Sequence, residues 1–292
     1  MRLKHELFTN NCNFKKFDNH LKLLYNIENK KEVNQMILVC DIGNSTIGLC
    51  TYDKDKATGK FELSTDRSKS ADEYSILIEN LFRMKGISKE DINGAVIGSV
   101  VPEINTALSR AISSLFGVKP ITVGVGIKTS LDIKTDRPSE VGADIVANCV
   151  SALSEYEPPL IIVDFATSTT IVTIDKTKRL TDVFILPGVY SSYSAITRDA
   201  AEIASVPLFT PRSLSGKNTA ASVNAGVVYG AAFALDGFIK KIKNNLSLND
   251  VTVLATGGGA PLVTPLCEEK IIRKPNLTCD GLYQIYLKNC AN

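Results

Sequence analysis

Histidine is nearly absent from this chain. His5 and His20 are its only two, both close to the N-terminus, so no Ser-His-Asp or Cys-His arrangement can be built in the body of the protein. A general base there has to be a carboxylate, a lysine or a tyrosine. Long apolar runs are missing too. None approaches the roughly 20 residues that span a bilayer, and no signal-peptide core with a cleavage site is visible, so a cytoplasmic protein without membrane association is expected. The seven cysteines (Cys12, Cys40, Cys50, Cys149, Cys267, Cys279 and Cys290) are an odd number with no C-x-x-C pair. That pattern argues against a disulfide framework and against a zinc site, and leaves reduced, mostly buried thiols. Positive charge is also scarce where nucleic acid would need it. Residues 1–35 carry seven Lys and Arg against four Asp and Glu, and the remainder of the chain is left at −1, so no nucleic-acid partner is expected.

What is present is an ordinary globular composition, 44% hydrophobic and 22% charged over 292 residues, long enough for two domains with a cleft between them. Residues 1–35, rich in Asn and Lys, are expected to be a poorly ordered or spurious extension ahead of Met36. A partner-binding helix around Leu21–Ile27 is the alternative. From Met36 onward strands and helices alternate, the mark of an α/β protein. Strands are predicted at 36–41, 46–52, 60–65, 94–100, 160–164, 169–174, 181–186 and 251–255. Helices are predicted at 71–84, 104–116, 139–156, 190–204, 219–244 and 281–288.

A repeat organises these elements. Ile37–Ile47 (ILVCDIGNSTI) lines up with Leu160–Thr170 (LIIVDFATSTT). Each is a β-branched run ending in Asp, then a small polar turn, then another β-branched run. The chain therefore reads as two similar halves, 36–157 and 158–292.

Three segments suit phosphate chemistry. An apolar strand ending in Asp41 and followed by Gly-Asn-Ser-Thr makes a tight hairpin whose N–H groups and hydroxyls can surround phosphate while the carboxylate holds a cation. Structural hairpins use the same turn, so the second copy at Asp164 is what adds weight. TVLATGGGAP at 252–261 reads as a strand running through three glycines into a helix, a geometry that lets backbone approach a nucleotide. GKNT at 216–219 feeds a long helix and lacks the spaced first glycine of a Walker A loop.

In their order along the chain, DIGNST (41–46), GSVVP (98–102), PSEVGAD (138–144), VDFATSTT (163–170), LPG (186–188), GKNT (216–219) and ATGG (255–258) resemble the type III pantothenate kinase family. That family lies within the superfamily of acetate and sugar kinases and actin-like ATPases. The resemblance runs from Met36 to about Asn289. It implies two tandem actin-like, ribonuclease H-like α/β domains with a nucleotide cleft between them, and ATP-dependent phosphorylation of pantothenate, the first step of coenzyme A biosynthesis. The hairpin Asp41, Ile42, Gly43, Asn44, Ser45, Thr46, Ile47 and Gly48 would hold ATP, with Thr167 contacting it from the second hairpin. Asp41 would be oriented toward Mg2+, and Asp164 would bind a monovalent cation, K+ or NH4+. Asp144 would be the base, and Gly142, Ala143, Asp144, Ile145 and Thr219 would line the substrate. A homodimer is implied as well.

The chain departs from the family pattern at Ile145, where Arg is usual, at Thr135, where Tyr is usual, and at Ala166, where Gly is usual. Lys134 and Arg137 are the nearby cations. These departures keep a second reading open, a catalytically weak nucleotide-binding paralogue with a regulatory or accessory role; a phosphohydrolase of the same superfamily is a third.

Overall fold

Each of the two apolar strands that end in Asp becomes the centre of a sheet. The computed structural model describes residues 35–198, 206–246 and 250–290. Strands β1 (Met36–Ile42), β2 (Thr46–Asp53), β3 (Lys56–Ser64), β4 (Ile92–Ser99) and β5 (Ile121–Thr122) form a five-stranded sheet in the order β3-β2-β1-β4-β5. Strands β6 (Asp132–Ile133), β7 (Leu160–Phe165), β8 (Ser168–Ile174), β9 (Arg179–Pro187), β10 (Thr252–Thr256) and β11 (Ile271–Arg273) form a second sheet in the order β11-β10-β7-β8-β9-β6. From the central strand outward the two sheets share one plan. β1 runs antiparallel to β2 and parallel to β4, and β7 runs antiparallel to β8 and parallel to β10. The sequence repeat is thus a repeat of topology.

The helices are α1 (Ala71–Met84), α2 (Pro102–Phe116), α3 (Ala143–Glu155), α4 (Val189–Arg198), α5 (Thr219–Leu246), α6 (Ala260–Val263) and α7 (Leu277–Cys290). Helix α1 starts at a capping box in which Ser70 and Glu73 satisfy each other's backbone N–H groups. It buries Tyr74, Ile78 and Phe82, while α2 buries Ile104, Leu108 and Ile112, both against Leu38, Cys40 and Ile42 of β1. The opposite face of β1, carrying Val39, packs on α3 and α7. On β7, Ile161, Val163 and Phe165 face α5, and Leu160 and Ile162 face α3.

Helix α3 therefore lies between the sheets, with Val146 and Val150 toward the first and Ile145, Cys149 and Ala152 toward the second. Its sequence, uncharged from Ile145 to Ser154, fits a helix buried nearly all round. The halves also exchange elements: β6 precedes α3 in the chain yet pairs with β9 in the second sheet, and α7, the C-terminal helix, packs against Tyr52 and Val96 of the first.

Helix α3 begins at Ala143, four residues later than expected, because Gly142 is in an extended conformation and 138–140 form a separate 3-10 turn. Helix α7 begins at Leu277, four residues earlier than expected. Helix α5 contains a π-helical turn, Ala225–Tyr229. Among the described residues α5 is also the one helix long and apolar enough to cross a membrane, yet it packs Val228, Leu235 and Ile239 into the second core, as a core helix does. The expected extension at 1–35, apart from residue 35, and the end of the helix expected over 190–204 lie outside the described residues.

Candidate functional site

Side chains on a strand alternate between faces, and that period decides where the repeated aspartates point. Asp41 follows Val39 by two and Asp164 follows Ile162 by two, so both carboxylates leave their sheets toward α3. Asp144 stands in the first turn of α3. Asp41 lies near enough to Asp144 and Asp164, and Asp164 to Asp144, for each charge to act on the next. Burial, then the neighbouring Asp144 and Asp164, push the Asp41 carboxyl up to about 7, and Lys60 offsets this only slightly. Burial and then Asp144 push Asp164 up to about 6, against the donated bond from Asn148. Burial also raises Asp144, opposed by the backbone N–H groups of Ile145 and of Asp144 itself. Ile145 N donates to Asp144 Oδ1 at 2.8 Å.

A site with three acids and so little positive charge is electrostatically incomplete. The acids cannot all ionise in a shared, poorly hydrated space unless a cation joins them. Asp164 Oδ1 is buried without a hydrogen-bond partner, which is the kind of oxygen a cation would take. Among the described residues no three His, Cys, Asp or Glu side chains gather into a metal centre. An ion here would therefore complete its shell with phosphate and water oxygens, as Mg2+ commonly does.

The two hairpin turns flank this space and touch each other. Ser45 Oγ lies 2.9 Å from Thr167 Oγ1. Gly43 N donates to the Thr46 carbonyl at 2.9 Å, closing the first turn, and Ala166 N donates to the Ser168 carbonyl at 3.0 Å, closing the second. Asn44, Ser45 and Thr46 are exposed at the first turn and Thr167 at the second, whereas Ile42 and Ile47 are buried in the first core. So of the nine residues expected to contact ATP, two contribute packing. Gly257, the first of the three glycines after β10, has φ +85, and an added Cβ would land on Asp164 Oδ1. That glycine is required both by its left-handed backbone and by the carboxylate beside it.

On the expected substrate side, Gly142 caps α3 and Ala143 opens it beside Asp144. Ile145 packs its side chain among Cys149, Leu160, Ile162 and Leu254. What it offers Asp144 is its backbone N–H. Thr219 is exposed at the first position of α5, after Asn218, whose side chain accepts from Ala221 N at 2.9 Å. Thr135 Oγ1 is buried without a partner, while Lys134 and Arg137 are exposed in ion pairs with Asp132 and Glu140. Ala166 is not among the described residues with positive φ, so its methyl group brings no left-handed strain.

Two residues near the site went unselected by sequence reasoning. Arg67 places its guanidinium 3.2 Å from Asn44 Oδ1, a cation at the tip of the first hairpin. Asn148 donates to Asp164 Oδ2 at 3.1 Å. Asn148 stands four residues after Asp144, on the same helical face, and nothing in its local pattern sets it apart from other helical Asn residues.

The family profile and the similar proteins of known name agree on one family. A family profile described as type III pantothenate kinase matches residues 37–241. A protein named type III pantothenate kinase from Exiguobacterium sp. is 40% identical over 254 residues, 87% of this chain and 99% of that protein. Its namesake from Bacillus cytotoxicus is 40% identical over 254 residues, 87% of this chain and 97% of that one. A solved candidate 2-dehydro-3-deoxygalactonokinase from Sinorhizobium meliloti superposes with TM-score 0.59 over 88% of this chain and 97% of its own, at 9% identity. At that identity the likeness is one of fold.

Proposed function

The chain belongs to the type III pantothenate kinase family, and we propose that it phosphorylates pantothenate from ATP, entering coenzyme A biosynthesis, with Asp144 as the base. The kinase activity is what the family does. The assignment of roles to residues rests on one observation, the convergence of Asp41, Asp144 and Asp164 beneath two touching hairpins.

In this reading the turns at 43–46 and at Thr167 hold the ATP phosphates through backbone N–H groups and hydroxyls. Asp41 orients Mg2+, and Asp164, through its unpartnered Oδ1, binds K+ or NH4+. When bound, these ions neutralise phosphate and carboxylate charge. Asp144 accepts the proton of the primary hydroxyl of pantothenate as that oxygen attacks the γ-phosphorus and the bond to the ADP oxygen breaks. A carboxylate lifted toward neutrality by burial is a stronger base than one in water, and the Ile145 N–H holds its orientation. Gly142, Ala143 and Thr219 line the acceptor. Ile145, by its packing, supports Asp144 from behind.

The same reading makes the protein a cytoplasmic homodimer. Large apolar side chains stand exposed on the second half of the chain at Ile185, Leu214 and Phe233, and the apolar stretch of α5 is less than half buried.

The test of the roles is Asp144→Asn. Phosphoryl transfer should be lost while ATP affinity stays within about threefold, because the base acts on the acceptor and not on the nucleotide. Wild-type turnover in the variant removes Asp144 from its role.

A further inference from the structure

We propose that Asn148 is a positioning residue that aims Asp164 at its cation, held to that task by Thr278 of the C-terminal helix. The inference rests on the assignment of Asp164 as a cation ligand and deepens it.

Asn148 is 2% exposed, so water does not compete for its amide. Its Nδ2 donates to Asp164 Oδ2 at 3.1 Å, and its Oδ1 accepts from Thr278 Oγ1 at 2.9 Å. The second bond secures the first. The ionised carboxylate only accepts, so it fixes the amide nitrogen as the end that faces it, and the Thr278 hydroxyl, donating to Oδ1, holds the other end in place. With Oδ2 engaged, the carboxylate plane is set. Oδ1 is then the oxygen left without a protein partner, on the side where Gly257 has no Cβ to cover it.

Thr278 is itself anchored to the first sheet. Its neighbour Cys279 places Sγ 2.8 Å from Cys50 Sγ, and Asp280 accepts from the Tyr52 hydroxyl at 2.6 Å. Cys50 and Tyr52 belong to β2, beside the strand that carries Asp41. Residues 278–280 thus register an acid of the second sheet against the first, through a single amide. Outer partners that orient a metal ligand change metal affinity by about 10- to 100-fold when removed.

The experiment is a potassium titration of the full-length protein at constant ionic strength, balanced with tetramethylammonium chloride. It is read by thermal midpoint with a non-hydrolysable ATP analogue and by pantothenate-dependent ADP release. Asn148→Leu, which keeps the volume, should raise the half-saturating potassium concentration at least about tenfold in both readouts, with the KM for pantothenate unchanged. Thr278→Val, which keeps the shape and loses the donor, should raise it in the same direction by less. Wild-type half-saturation in both variants overturns the inference, as does a pantothenate KM that rises in step. Should Asn148→Leu fail to fold, Thr278→Val decides alone. A wild type indifferent to potassium in both readouts removes the cation assignment and this inference together; a responsive wild type with unshifted variants removes only the role of Asn148.

Discussion

Asp164 shows how much of this site is decided by a single side chain's surroundings. Its folded-state pKa, pushed up to about 6, lies above the unfolded carboxylate value, so between about pH 4 and 6 the folded state holds a proton that the unfolded state has released. Folded stability without ligands therefore falls as pH rises through that window, and Asp41, pushed up to about 7, extends the fall. Asp164→Asn removes one of these penalties. At pH 8 the variant should be more stable than wild type by up to roughly 2–3 kcal/mol, and the two should converge near pH 4. Denaturant melts at the two pH values measure this, and a variant less stable at pH 8 would mean that Asp164 is charge-compensated within the protein itself. Ile145 makes the opposite case. Ile145→Ala should cost about 2–5 kcal/mol and leave the KM for pantothenate within about twofold, since the side chain packs in the second core. A large rise in KM without loss of stability would put it back in the substrate site. Asp41 and Asp164 were legible in the sequence because each closes an apolar strand before a small polar turn, and Asp144 through the resemblance carried by PSEVGAD. Asn148 was not. A buried amide in a helix reads like any other helical Asn until the carboxylate across from it is seen.

At the scale of elements, the hairpins and central strands were legible for a physical reason. Each is a run of β-branched residues closed by a turn of small polar ones, and period and turn chemistry are both local. The strands β5, β6 and β11, two or three residues long, carry no period of their own and form because a neighbouring edge accepts them. The packing of α7 was equally hidden, because a helix's partner depends on distant chain. That packing can be tested at Gly281, where an added Cβ would land on the Ala147 carbonyl. Gly281→Ala must push α7 away from α3, so it should destabilise the protein by about 1–3 kcal/mol. It should also lower activity, because α3 carries Asp144 and Asn148. Thermal melts and turnover measured together check this; a fully stable, fully active variant would show that the two helices are not in such close contact.

Across the whole molecule, the duplication of one sheet plan places two equivalent strand ends face to face over α3, and the acids of both copies with the acid of the helix between them. The α/β class followed from the alternation of strands and helices and the two-part plan from the sequence repeat; the way the halves lend β6 and α7 to each other did not, since neither exchange leaves a mark on local pattern. The apolar residues left exposed on α5 and β9 predict a dimer mass by light scattering at micromolar concentration, and charge placed there, as Phe233→Glu with Ile185→Glu, should shift it toward monomer. A monomeric wild type would count against that surface as an interface. The most direct test of the account is the coupled release of ADP from ATP with and without pantothenate, with the acceptor product followed by 31P NMR. Pantothenate kinase activity predicts ADP release that depends on pantothenate, a single new phosphomonoester resonance whose integral matches the ADP formed, and loss of both in Asp144→Asn. Pantothenate-independent ADP release, or none with wild type at saturating potassium and magnesium, would contradict it.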